Sequence, residues 1–145
     1  MILCIDTNTV VQALAQHHPF HPILDAWVAG HLTWAVSTPI LLEYEEVLTR
    51  LSGPARWRKL ARLMDLAELT CGNLLRVTPS FHFRVVTTDL DDNIFTDCAI
   101  TAGADYLLTE DAHFAPLAEA GYKPQPLLPQ QFIPQFVARG RGTAS

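Results

Sequence analysis

Three aspartates lie just past a predicted strand or at the start of a predicted helix. Asp6 directly follows the apolar run 2–5, Asp111 lies just past the apolar run 106–108, and Asp92 opens the helical pattern that leads into that second run. Because ligands of open parallel sheets bind at the carboxyl ends of the strands, we expect the three carboxylates at one edge of a sheet. Carboxylates a few ångströms apart repel one another unless a cation or shared protons compensate them. Oxygen ligands without His or Cys pairs favour Mg²⁺ or Mn²⁺ over zinc.

Each of these aspartates, taken alone, also suits a structural role. Asp6 and Asp92 could cap the helices that follow them, and Asp111 could stabilise a turn. The prediction of a metal site therefore depends on the joint placement of the three side chains.

A glutamate on the helix predicted over 39–51 could join them. The apolar stripe of this helix is centred between Ile40 and Tyr44, so Glu43 and Glu45 flank it about equally, whereas Glu46 points away. Periodicity rejects Glu46 and leaves the other two open.

A further acid lies on the helix that Asp92 opens. Asp97 comes five residues later, which places it about 140° round the helix from Asp92. It could join the site only if Asp92, at the end of the helix, leans across.

Buried strands that alternate with helices must hold these residues in place. This alternation predicts a three-layer α/β/α sandwich with a central parallel sheet and right-handed crossovers. Pro126 would confine the last strand to a sheet edge. We expect one domain over 1–133 and a mobile tail at 134–145.

The predicted strands are 2–5, 34–36, 74–77, 106–108 and 125–128, and the predicted helices are 8–16, 21–29, 39–51, 55–71, 92–102 and 114–120.

Composition narrows the class of protein. The chain is 49% hydrophobic, no apolar run reaches the roughly 20 residues of a membrane span, and its three cysteines show no CxxC spacing. These features predict a globular protein of a reducing cytoplasm, with no membrane association.

Charge is distributed unevenly along the chain. The net charge of -5 argues against binding nucleic acid mainly by bulk attraction. No Lys or Arg occurs between residues 85 and 122, where eight acids lie. The basic residues on the predicted helix 55–71 would form a solvated face, or alternatively contact an RNA backbone or an acidic partner segment: Arg56, Arg58, Lys59 and Arg62.

Four segments occur in a recognisable order. They are 6–8 (DTN) after an apolar strand, 37–48 (STPILLEYEEVL), 89–95 (DLDDNIF) and 104–111 (ADYLLTED). In this order they resemble PIN domains, and more narrowly the toxin-type subgroup of bacterial and archaeal PIN proteins, over residues 1–133.

The resemblance implies a function and assigns roles to residues. It implies hydrolysis of RNA phosphodiester bonds with Mg²⁺ or Mn²⁺, by the toxin of a type II toxin–antitoxin system that pairs with a small antitoxin protein and forms a homodimer. It favours Glu43 over Glu45, and the implied catalytic acids are Asp6, Glu43, Asp92 and Asp111. Asp97 would be a further metal ligand, and Asn8 and Thr109 would support the first and last aspartates.

Two departures from the subgroup concern substrate contacts. A basic residue is common where this chain has Ile94, and Asp or Lys is common near Ala112 and His113. The acids themselves are all present.

Two other functions fit parts of the sequence. One is a PIN fold that binds RNA or protein without cutting. The other is a phosphatase of the haloacid dehalogenase type, because 2–11 (ILCIDTNTVV) nearly spells a strand followed by DxDx[TV]. Asn8 replaces the second aspartate of that signature, however, and neither Lys59 nor Lys123 stands in a matching context.

Overall fold

Five short parallel strands form one sheet in a computed structural model that describes residues 1–80, 83 and 93–138. The spatial order is β3-β2-β1-β4-β5, so the first strand lies at the centre and the last at an edge, as Pro126 predicted. The strands are β1 (Ile2–Ile5), β2 (Thr33–Val36), β3 (Leu74–Arg76), β4 (Tyr106–Leu108) and β5 (Gln125–Leu127). Each lies within one residue of its predicted bounds.

Helices connect the strands, and the predicted α/β/α fold with a central parallel sheet is confirmed. The helices are α1 (Thr7–Leu14), α2 (His21–Val28), α3 (Thr38–Ser52), α4 (Pro54–Thr70), α5 (Asn93–Ala102), α6 (Ala115–Ala120) and α7 (Pro129–Phe132). A 3₁₀ turn, Ala112–Phe114, precedes α6, and a π-helical turn, Ile133–Val137, follows α7. Among the helices of the described residues, none combines the length and the apolar composition of a membrane span.

Gly53 separates the two longest helices. Its φ of 85° is a conformation that residues with a Cβ rarely adopt, and it ends α3 as Pro54 opens α4. The predicted break at this point is therefore explained by one glycine and the proline after it.

Aromatic side chains fill the core beside the central strand. The rings of Tyr44 and Phe95 lie 6.2 Å apart, and those of Phe95 and Phe114 lie 6.5 Å apart. All three side chains are fully buried. They join α3, α5 and the 3₁₀ turn, which are the elements that carry candidate acids, into one packed unit.

The helical end of the chain continues past residue 133, where the sequence placed the start of a tail. Val137 is buried, and the ring of Phe136 lies 5.4 Å from that of Tyr106. Residues 139–145 lie outside the described part, so the mobility of the tail stays a prediction.

Candidate metal centre

The strand register sets candidate residues side by side at the carboxyl edge of the sheet. Leu3 pairs with Trp34 and Ile5 with Leu108, so continuing the register by a few residues brings Ser37 and Thr109 level with Asp6. Neighbouring strands lie about 4.8 Å apart. Asp6 therefore stands in the middle of a row at this edge.

Asp6 is a buried carboxylate that both caps a helix and faces the next strand. Its Oδ1 accepts a hydrogen bond of 2.8 Å from the Thr7 amide at the start of α1, and its Oδ2 accepts one of 2.9 Å from the Thr109 hydroxyl. The residue is 6% exposed. Because donors hold both oxygens, the carboxylate has a fixed orientation, and the capping role does not exclude a functional one.

Thr109 links the first and last aspartates. While its hydroxyl donates to Asp6, the same oxygen accepts a hydrogen bond of 2.9 Å from the Asp111 amide. The structure thus brings Asp6 and Asp111 to one edge, joined by the threonine that the resemblance assigned to a supporting role.

The Asp111 side chain opens the 3₁₀ turn. Its Oδ1 accepts from the His113 amide at 2.9 Å and lies 3.3 Å from Nδ1 of the His113 ring. Asp111 therefore does stabilise a turn, as its structural interpretation predicted, and its backbone amide is also bonded to Thr109.

Glu43 is the glutamate of α3 that reaches this edge. The Thr7 hydroxyl donates a hydrogen bond to its Oε2, and Glu45 is exposed. The rotation of α3 is fixed by Tyr44, whose buried hydroxyl donates to the Ile5 carbonyl. Burial raises the pKa of Tyr44 well above its usual value, so the phenol stays protonated and keeps this bond.

Sequence reasoning missed Thr7 as a contact of the site. This residue uses its amide for Asp6 and its hydroxyl for Glu43, and so connects the two acids. The signal was present, since Thr7 directly follows Asp6, but a helix-starting threonine is too common to single out.

The other predicted site residues are less closely tied to these acids. Asp97 is 5% exposed and accepts a hydrogen bond of 2.9 Å from the Phe83 amide. Asn8 is exposed on the first turn of α1. Asp92 lies outside the described residues.

The donor set suits a hard cation. Asp6, Glu43 and Asp111 offer carboxylate oxygens, which Mg²⁺ and Mn²⁺ prefer. Within 1–80, 83 and 93–138, no three His, Cys, Asp or Glu side chains gather closely enough to hold an ion by themselves. The acids present fit a metal in chemistry, and the predicted cage also includes Asp92.

The predicted basic residues lie on α4, where Arg58, Lys59 and Arg62 are exposed and Arg56 is half-buried. Arg58, Lys59 and Arg62, but not Arg56, border two adjoining hollows of about 350 and 420 Å³ that share Lys59 and Leu63, and Asp25 also lines the second hollow. We call this surface the α4 groove. Its apolar walls come from α1, α2 and α4: Leu14, Leu24, Val28, Leu63 and Leu66.

Comparison with known proteins places the chain in a family. The model of the PIN domain matches residues 3–113, which is most of the chain. The fold is similar to that of a chain in the crystal structure of VapBC2 from Rickettsia felis bound to a DNA fragment from their promoter. That likeness covers 79% of this chain and 92% of that one, at 20% identity and a TM-score of 0.53. No curated protein matches. The chain belongs to the PIN domain family.

Proposed function

We propose that the protein is a Mg²⁺- or Mn²⁺-dependent ribonuclease, the toxin of a type II toxin–antitoxin pair. The observation that carries the proposal is the chain of hydrogen bonds that joins Asp111 to Asp6 through Thr109, and Asp6 to Glu43 through Thr7. Family membership supports a nuclease, and RNA as the substrate comes from the resemblance of the motifs.

The four predicted acids would have two kinds of role in the reaction. Asp6, Asp92 and Asp111 would hold the ion, and Glu43 would bind a second ion or orient the attacking water. A bound Mg²⁺ or Mn²⁺ would supply Lewis-acid stabilisation of the phosphate and lower the pKa of water. This chemistry needs no side-chain nucleophile.

Two threonines hold the Asp6 carboxylate in position before a metal ion or substrate binds. Thr7 and Thr109 each donate a hydrogen bond to one oxygen of the Asp6 carboxylate, which holds the carboxylate in a fixed orientation at this edge of the sheet. Since several carboxylates together repel an RNA phosphate, substrate binding at this edge would require the cation.

An RNA cleavage assay distinguishes a ribonuclease from a silent PIN module, a PIN fold that binds RNA or protein without cutting. Labelled RNA is incubated with purified protein with and without Mg²⁺ or Mn²⁺, beside Asp6→Asn, Asp92→Asn and the exposed control Asp65→Asn. We expect metal-dependent cleavage that falls at least about 100-fold in the first two variants and persists in the control, because losing a ligand removes several kcal/mol of stabilisation. Equal cleavage by all proteins would show that these acids are not the site. RNA binding without cleavage by the wild type would favour the silent module.

The α4 groove has the charge and shape of a surface that binds a protein partner. Its basic border and apolar walls suit an acidic amphipathic segment. We propose that an antitoxin binds there.

The homodimer and the cytoplasmic location remain predictions.

Charge reversal tests the role of the groove. We expect Arg58→Glu with Arg62→Glu to weaken antitoxin binding by roughly tenfold at low salt and less at high salt, because exposed charges are screened. Binding to a co-expressed antitoxin is measured by calorimetry, with Arg50→Glu as the control. An unchanged affinity for both antitoxin and RNA would rule out a role for these arginines.

A further inference from the structure

Thr7 contacts two of the candidate acids with two different groups. Its backbone amide donates a hydrogen bond of 2.8 Å to Oδ1 of Asp6. Its hydroxyl donates to Oε2 of Glu43, which lies 36 residues later in the chain. The side chain is buried, with 6% of the residue exposed. Because capping of α1 uses only the amide, the hydroxyl bond to Glu43 has no part in starting the helix.

The position of Thr7 in α1 leaves its hydroxyl available for this contact. Inside a helix, a threonine hydroxyl commonly bonds a carbonyl of the preceding helical turn. Thr7 is the first residue of α1, so the residues one turn earlier, Leu3 and Cys4, belong to β1. The hydroxyl therefore bonds a neighbouring element and not its own helix, and that element is α3.

The backbone of α3 is held in place without the Thr7 hydroxyl. The buried Tyr44 hydroxyl donates to the Ile5 carbonyl. Ile40 and Leu48, one turn before and one turn after Tyr44, are buried as well. These residues form the packed face of α3 and fix the position and rotation of the helix. Removing the Thr7 hydroxyl would therefore leave the helix where it is.

The carboxylate of Glu43 needs a hydrogen-bond donor to hold it in one place. Glu43 is half-buried, and a glutamate side chain has several rotatable bonds. The Thr7 hydroxyl binds Oε2 and so favours the rotamer that brings this oxygen to the residue directly after Asp6. The Asp6 carboxylate is itself bonded to the Thr7 amide. One residue therefore sets the position of two acids, from α3 and from the end of β1, relative to each other.

We propose that Thr7 is a positioning residue of the reaction, whose hydroxyl holds the Glu43 carboxylate in place relative to Asp6. The inference rests on the proposed ribonuclease function, and in it Thr7 acts through Glu43 and does not touch the RNA. Groups that orient the acids of a metal site typically contribute about 10–100-fold to metal affinity or activity. The role requires a hydroxyl, so serine should replace Thr7, whereas valine, which has nearly the same shape, should not.

The bond is tested first without metal or RNA, by a double-mutant cycle of Thr7→Val and Glu43→Ala. Urea unfolding in the presence of EDTA gives the equilibrium constant for unfolding of each variant. We expect the two effects to be non-additive by about tenfold in this constant, because the same hydrogen bond to a charged group is lost in both. Thr101→Val, exposed in the last turn of α5, is the control and should be additive with Glu43→Ala. Thr7→Ala removes the same hydroxyl and is used if Thr7→Val does not fold.

RNA cleavage then shows whether the bond serves the reaction. At saturating Mn²⁺, Thr7→Val should lower kcat at least about tenfold and leave the KM for RNA nearly unchanged, because the hydroxyl contacts an acid and not the substrate. Thr7→Ser should retain most of the wild-type kcat. In a Glu43→Gln background, Thr7→Val should lower cleavage by less than about twofold, since the group through which it acts is already changed. In the same background, Thr109→Val should still raise the Mn²⁺ requirement, because Thr109 is bonded to Asp6 and Asp111.

The outcomes separate the positioning role from the ribonuclease. Suppose that the wild type cleaves RNA. Additive effects on unfolding, a wild-type kcat in Thr7→Val, or an equal loss from Thr7→Val with and without Glu43 would then overturn the positioning role and leave the ribonuclease standing. If the wild type does not cleave RNA with either metal while the effects on unfolding stay non-additive, the ribonuclease is overturned and the bond between Thr7 and Glu43 stands.

Discussion

The aspartates at the two edges of the sheet have different hydrogen-bond and ion-pair partners. At the amino edge, before β4, Asp105 lies 2.6 Å from the Lys123 amine and accepts a hydrogen bond of 2.9 Å from the Ile2 amide. At the carboxyl edge, Asp6 accepts from an amide and a hydroxyl, and the partner of Asp111 is His113. Asp105 is thus paired with a lysine, whereas the carboxyl edge places Asp6 and Asp111 on either side of the Thr109 hydroxyl. We infer that acids at the amino edge stabilise the fold and that acids at the carboxyl edge perform the chemistry.

The sharpest test of this contrast compares two glutamates on one helix. Glu43→Gln should lower RNA cleavage by at least about 100-fold, because it removes a charge from the acidic edge. Glu45→Gln, exposed two residues away, should leave cleavage within twofold. Initial rates are measured at saturating Mn²⁺. Equal effects of the two substitutions would show that the carboxyl edge is not organised as the hydrogen bonds suggest.

A smaller effect is expected when the acids remain and only their support is removed. Thr109→Val keeps the shape of the side chain but loses the hydroxyl that joins Asp6 to Asp111. Loss of such a supporting contact typically costs about 10–100-fold in metal affinity or activity. The Mn²⁺ concentration that gives half-maximal cleavage should therefore rise. The exposed Thr101→Val is the control, and an unchanged metal requirement in Thr109→Val would assign the bridge a structural role only.

The positions of the strands and of the acids could be predicted because local patterns determine them. The runs 2–5 and 106–108 are continuously apolar, as strands buried on both faces must be, and the aspartates follow directly. Helix ends were equally readable where Gly53 and Pro54 stand together.

The remaining features depend on tertiary contacts that leave no local pattern. Glu43 and Glu45 flank the apolar stripe symmetrically, so periodicity could not choose between them and the choice of Glu43 came from the motif. In the structure Glu43 accepts from the Thr7 hydroxyl, and the bond from Tyr44 to the Ile5 carbonyl fixes the rotation of α3. Similarly, the helical end beyond residue 133 packs because Phe136 contacts Tyr106, about 30 residues earlier in the chain. Asp92 lies outside the described residues, and its role stays a prediction from the motif.

The smallest expected effect concerns the acid of the amino edge and depends on pH. Hydrogen bonds from Lys123 and from the Ile2 amide lower the pKa of Asp105 below its usual value. A depressed pKa means that the stabilisation is fully present above the unfolded-state pKa, about 3.9, and is lost as the pH falls through the folded-state pKa. Asp105→Asn should therefore lower the free energy of unfolding by about 1 kcal/mol at pH 7, and the difference should be smaller at pH 3, which lies below the unfolded-state pKa. Urea unfolding at both pH values measures it, and RNA cleavage at neutral pH should be unchanged. A loss of cleavage in a variant that remains folded would mean that the amino edge also serves the reaction, and the division of roles between the two edges would fail.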